Sequence, residues 1–114
     1  MGNRYIRLVY PEVMLDSMGN AFKIVQEDGQ SMPFALRELL LLLVRQAPVQ
    51  TAGDAERSLD LLEAIKASHD RLELRLSEFA LLEALIQSFA HKRFNPTDGA
   101  AIVRYVREHK EIVE

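Results

Sequence analysis

The sequence has no cysteine and no tryptophan, only five scattered glycines, and no apolar run longer than the six residues from Leu39 to Val44. Without cysteine there are no disulfides, no thiolate nucleophile and no cysteine-ligated zinc, which fits a reducing compartment such as the cytoplasm. Six apolar residues fall far short of the roughly 20 that cross a bilayer, and Met1 to Arg4 lead into an alternating segment rather than a signal sequence. A membrane partner is therefore not expected. Gly2, Gly19, Gly29, Gly53 and Gly99 lack the spacing of a phosphate-cradling loop, and no Gly-x-Ser-x-Gly elbow occurs.

Groups able to do chemistry are also sparse. His69, His91 and His109 lie in three different segments, none with a second histidine three or four residues away, so no metal site is expected. Asp60 with Glu63, and Glu73 with Glu78, fall where amphipathic elements present their polar faces, not where a cleft would separate two carboxylate pKa values. These absences single out no catalytic, cofactor-binding or metal-binding residue, and the expectation is a protein without enzymatic activity.

What the chain does have is apolar side chain. Of 114 residues 48% are hydrophobic and 27% charged, a balance that builds one core and leaves little room for a second. The net charge of −3 is uneven. Residues 51–87 carry four basic and eight acidic side chains, whereas residues 88–114 carry five and four. No region offers the sustained positive field of a nucleic-acid binder.

The patterning gives an α+β fold, mainly helical: an N-terminal β hairpin-like element over residues 1–32, then a helical part, 33–114, with about four helices in one domain. Tyr5 to Tyr10 alternates, with Ile6, Leu8 and Tyr10 on one face and Arg7 on the other, and Ala21 to Gln26 places Phe22 with Ile24. Asp28-Gly29 can take the positive φ of a tight turn before a short strand at Ser31-Met32. Phe34 to Gln46 reads as a helix apolar on nearly every side. It is either the central helix of the domain or one with a face covered by another subunit, and Pro48 ends it.

Thr51 to Asp54 matches a capping box for a helix running to about Ala67, with Leu59, Leu62 and Ile65 as its buried stripe. Leu72 to Leu76 alternates over five residues and reads equally as a short strand or a helix–helix loop. Ser77 is the expected cap of a third long helix carrying Phe79, Leu81, Leu82, Leu85, Ile86 and Phe89. Asn95-Pro96-Thr97-Asp98 is the strongest helix start in the chain. The helix that follows is expected to bury Ile102, Tyr105 or Val106, His109 and Ile112. Gly99, an odd choice inside a first helical turn, suggests that this helix starts close against another backbone.

The segments Asp28 to Phe34, Leu36-Arg37-Glu38-Leu39-Leu40, Ala55-Glu56-Arg57, Leu72-Glu73-Leu74 and Ser77-Glu78 together resemble a group of small uncharacterised bacteriophage and prophage proteins, over roughly residues 15–113. The resemblance carries no functional residue with it. It implies a phage context, with a role in virion assembly or on a host protein.

Two surfaces are candidates for function. Met14, Met18, Met32, Leu40 and Leu43 offer more apolar side chain than so small a domain readily encloses, which points to a protein partner, including a second copy. Lys92, Arg93, Arg104, Arg107 and Lys110 form the alternative, a basic face on the last helix that could contact phosphates. Glu108, Glu111 and Glu114 dilute it, so nucleic acid is the disfavoured partner.

Overall fold

The run of leucines that looked apolar on every side resolves into two stripes. Leu36, Leu39, Leu40, Leu43 and Val44 recur at three- and four-residue spacing on helix α1 (Leu36–Gln46), and all are buried. Each fully buried leucine contributes roughly 1.5–3 kcal/mol relative to exposure. Leu41 and Leu42, on the neighbouring stripe, are only half-buried. The computed structural model describes residues 4–25 and 28–114, with the side chains at 24, 25, 31 and 32 outside that description.

Among the described residues nine elements follow in chain order. Strands β1 (Tyr5–Val9), β2 (Lys23–Val25) and β3 (Ser31–Pro33) precede α1, which is followed by α2 (Ala52–Ala67), β4 (Arg71–Arg75), α3 (Leu76–Arg93), α4 (Pro96–His109) and β5 (Lys110–Val113). The expected α+β fold, mainly helical, is the one observed. Of residues 72–76, whose alternation reads as strand or loop, Leu72 to Arg75 belong to strand β4 and Leu76 opens α3.

The hairpin of the N-terminal part is β2–β3, turning through Gly29 at φ 84°. Strand β1 takes its partners from far along the chain. It lies at the centre of an antiparallel sheet of order β4-β1-β5. Alternation explains the choice: Ile6 and Leu8 face the helices beside Leu74 and Leu72, and all four are buried. On the opposite face Arg7 stands between Glu73 and Glu111, with nitrogen–oxygen distances of 3.4 and 3.9 Å. A strand whose two neighbours both carry a carboxylate opposite its arginine has its register fixed on the wet face as well as the dry one.

The caps follow local chemistry. Thr51 Oγ1 accepts from the Asp54 amide at 3.1 Å, and Asn95 Oδ1 accepts from the Asp98 amide at 2.9 Å, as the sequence predicts. Ser77 is not the cap of α3. Strand β4 runs straight into the helix, Arg75 takes the cap position, and Glu78 reaches back to the Arg75 amide at 3.1 Å.

Two further expectations are corrected. Leu59 is 54% exposed, because α2 turns the stripe containing Leu61 and Ile65 to the core and Leu59 lies off it. The last helix ends at His109, and Ile112 belongs to β5, where it is 62% exposed. Pairing with β1 in the extended conformation outweighs one more helical turn, and His109, also exposed, stacks on Tyr105 with ring centroids 3.9 Å apart.

Gly99 does lie against another backbone. A Cβ there would stand 2.6 Å from the carbonyl carbon and oxygen of Ala90 on α3. Only glycine lets the first turn of α4 sit at that distance from α3.

Candidate functional site

Of the five residues expected to form an apolar contact surface, three are core. Met14 is 3% exposed and Leu40 and Leu43 are fully buried, because the loop before β2 folds Met14 inward and α1 turns its first stripe to the centre. Met18 is 82% exposed, at the tip of a turn that Asp16 Oδ1 organises by accepting from the amides of Met18 and Asn20. The Met32 side chain lies outside the described residues.

The apolar surface is elsewhere. Phe34, Leu41, Leu42 and Leu62 line an open groove of about 490 Å³ between α1 and α2, rimmed by Glu38, Arg45, Gln46 and Lys66. A shallower hollow continues it past Arg45 and Leu62 to Val49 and Leu59, which are 39% and 54% exposed. On α1 the outward stripe reads Glu38, Leu41, Leu42, Arg45, at positions i, i+3, i+4 and i+7 of one helix face. The two leucines stand between a carboxylate one turn towards the N-terminus and a guanidinium one turn towards the C-terminus. Arg37 steadies this end of α1, donating to the Ser68 carbonyl at 2.9 Å and to Glu38 at 3.3 Å. This stripe was legible in the sequence, since Leu41 and Leu42 are the members of the leucine run out of phase with Leu36, Leu40 and Leu43.

The expected basic face does not hold together. Lys110 is turned under the sheet, bonded to Glu83 at 2.8 Å with its Nζ 5.7 Å from the Phe79 ring centre. Arg93 donates to Gln46 at 2.9 Å and lies over Phe94. Lys92 is exposed at the end of α3 and lines no groove with the others. Arg104 and Arg107 do share a groove of about 310 Å³ between α3 and α4, and the residues that join them are His91 and Gln87. No carboxylate lines it.

A third hollow, of about 340 Å³, lies between the loop after β1 and α4 and gathers Asp16, Arg104, Tyr105, Glu108 and His109 beside Val13 and Leu15. It holds one histidine and two acids. Among the described residues no three histidine or carboxylate side chains are grouped closely enough to hold a metal ion. His69, near the start of β4, lines none of these grooves.

The loop after β1 is tied to α4 at one point. Asp98 Oδ1 accepts from the Ser17 amide at 2.9 Å and from Ser17 Oγ at 2.6 Å, while Oδ2 accepts from Asn95 Nδ2 at 2.6 Å. The Ser17 hydroxyl and amide, followed by the Asn95 side chain, hold the Asp98 carboxyl below its ordinary pKa by favouring its charged form.

No helix among the described residues is long and apolar enough to cross a membrane. Compared with family models, curated proteins and solved structures, the chain matches none.

Proposed function

We propose that this protein is a non-enzymatic interaction module that associates with a second copy of itself through the outward stripe of α1. The observation that carries this reading is the order Glu38, Leu41, Leu42, Arg45 on one half-covered helix face. Turned about a two-fold axis, such a face is complementary to itself. Glu38 of one copy meets Arg45 of the other at both ends, and the leucine pairs meet in the middle. Phe34, Leu62 and Leu59 widen the apolar area that the contact removes from water. The phage resemblance gives the reading a setting, in which the module acts in particle assembly or on a host protein, in the host cytoplasm or the virion.

Light scattering coupled to size exclusion tests the reading. Wild-type protein gives particles of more than one copy, and Leu42→Glu removes the α1 contact while leaving the circular dichroism spectrum unchanged. A wild type that stays monomeric at high concentration overturns it.

A second reading rests on the α3–α4 groove, where Arg104, Arg107 and His91 come together with no acid lining. A phosphate backbone lying in it would give binding that weakens steeply with salt and disappears in the variant with both Arg104→Gln and Arg107→Gln. Absence of any mobility shift at low salt removes this reading.

A further inference from the structure

Strand β5 is an edge of the sheet, and its Ile112 is uncovered in a way that Leu72 and Leu74 of the other edge are not. Ile112 is directly opposite Ile6, so it points to the same side of the sheet as Ile6 and Leu74, which are 6% and 3% exposed. Yet Ile112 is 62% exposed. Among the described residues no strand pairs with the outer side of β5, which leaves a row of backbone donors and acceptors beside an isoleucine that no helix covers.

The two edges of the sheet differ in what they tolerate beside them. Strand β4 reads Arg71, Leu72, Glu73, Leu74, Arg75. Paired antiparallel with itself about its centre, it would set Glu73 against Glu73 and Arg71 against Arg75, like charges directly opposite at every polar position. Strand β5 behaves in the opposite way. Centred on Ile112, antiparallel self-pairing sets Ile112 against Ile112, Glu111 against Val113, and Lys110, which within its own copy holds Glu83, against Glu114, one residue past the strand and paired within its own copy to Arg4. A register centred on Glu111 would instead bring two glutamates face to face. One edge is thus charged against self-pairing, and the other is complementary to itself in one register.

We infer that β5 is a second self-association surface, at which two copies join edge to edge in the register centred on Ile112, extending the three strands of each into one continuous antiparallel sheet. The inference extends the self-association reading to a surface distinct from α1. Both contacts are isologous, and a chain carrying two different isologous surfaces does not stop at a dimer, because each added copy presents the surface not yet used. The product is larger than a dimer: a closed tetramer where the two two-fold axes cross at right angles, and otherwise a string in which helix contacts and sheet contacts alternate.

The experiment measures particle mass against concentration for wild type, Leu42→Glu, Ile112→Asp and the double variant, each with its circular dichroism spectrum. Wild type grows beyond a dimer. Leu42→Glu stops at a dimer held by β5, Ile112→Asp stops at a dimer held by α1, and the double variant is monomeric. A monomeric Leu42→Glu protein overturns the β5 contact and leaves the α1 reading standing. A dimeric wild type that Leu42→Glu leaves dimeric and Ile112→Asp makes monomeric does the reverse.

The register is tested in the Leu42→Glu background. Adding E114K places like charges at both ends of the β5 contact, and so does adding K110E, so each protein alone is monomeric. Their equimolar mixture restores an opposite charge at each end and dimerises. Since K110E also removes the bond to Glu83, E114K, whose own partner Arg4 is an exposed pair 3.1 Å away, gives the decisive arm. An E114K protein as dimeric as its parent overturns the register.

Discussion

Gly99 of α4 lies directly against the backbone of Ala90 on α3: a methyl group at position 99 would stand 2.6 Å from the Ala90 carbonyl oxygen. The obstacle is backbone, so no side-chain rotation relieves it. Gly99→Ala should cost about 1–3 kcal/mol despite alanine's better helix propensity, as overpacking of a tight contact does. Urea unfolding measures it, and a variant as stable as wild type would show that the two helices can separate freely.

The leucines of α1 should divide sharply in their effects. Leu43→Ala empties a fully buried site and should lower stability by about 2–5 kcal/mol. Leu42→Ala, from the half-buried stripe, should cost much less and act chiefly on association. Denaturant midpoints and light scattering, compared for the two variants, separate fold from contact.

The Asp98 carboxyl has its pKa lowered in the folded state, so the stability it contributes is present above its unfolded value of 3.8 and is lost as pH falls through the lower folded value. Acidification below pH 3.8 should therefore loosen the tie between the loop after β1 and α4. Asp98→Asn should be less stable than wild type at neutral pH and should lose part of the acid sensitivity. Melting temperatures across an acid titration test this, and parallel curves for the two proteins would count against it.

Asn95→Ala removes the acceptor for the Asp98 amide and should cost about 1 kcal/mol, the usual value of an N-cap. Thr51→Ala at the start of α2 removes the same kind of bond and should cost a similar amount, read by the same denaturation.

These predictions mark what local chemistry could reveal. The caps at Thr51 and Asn95, the alternation of β1 and the tight place at Gly99 were legible, because each depends on residues within a turn of one another or on a residue type used against its propensity. The partners of β1 were not. They lie more than sixty residues away, and alternation says which face is buried without saying which strand is adjacent. Strand β5 was hidden for the same reason: Lys110 to Val113 continue the helical stripe of α4 well enough, and only the open side of β1 makes the extended form better.

The functional surfaces divided along the same line. Met14, Leu40 and Leu43 read as surplus because apolar content does not reveal which side of a helix meets the core. The phase within the leucine run does reveal it, and it points to Leu41 and Leu42. The basic residues near the end of the chain looked like one face because Arg104, Arg107 and Lys110 are spaced by three. The break between α4 and β5 falls between Arg107 and Lys110 and sends Lys110 to Glu83.

The central place of β1 also constrains how the chain comes together. Its residues leave the ribosome before those of either partner, so one flank waits for residues 71–75 and the other for residues 110–113. Each loop must close before its own flank of the sheet rewards the closure, so helix pairs can form while the nascent strand is still bare. For that interval an alternating, β-prone segment stands unguarded. Anything that delays residues 110–113 prolongs the period in which Ile6 and Leu8 can join a neighbour's strand instead of their own.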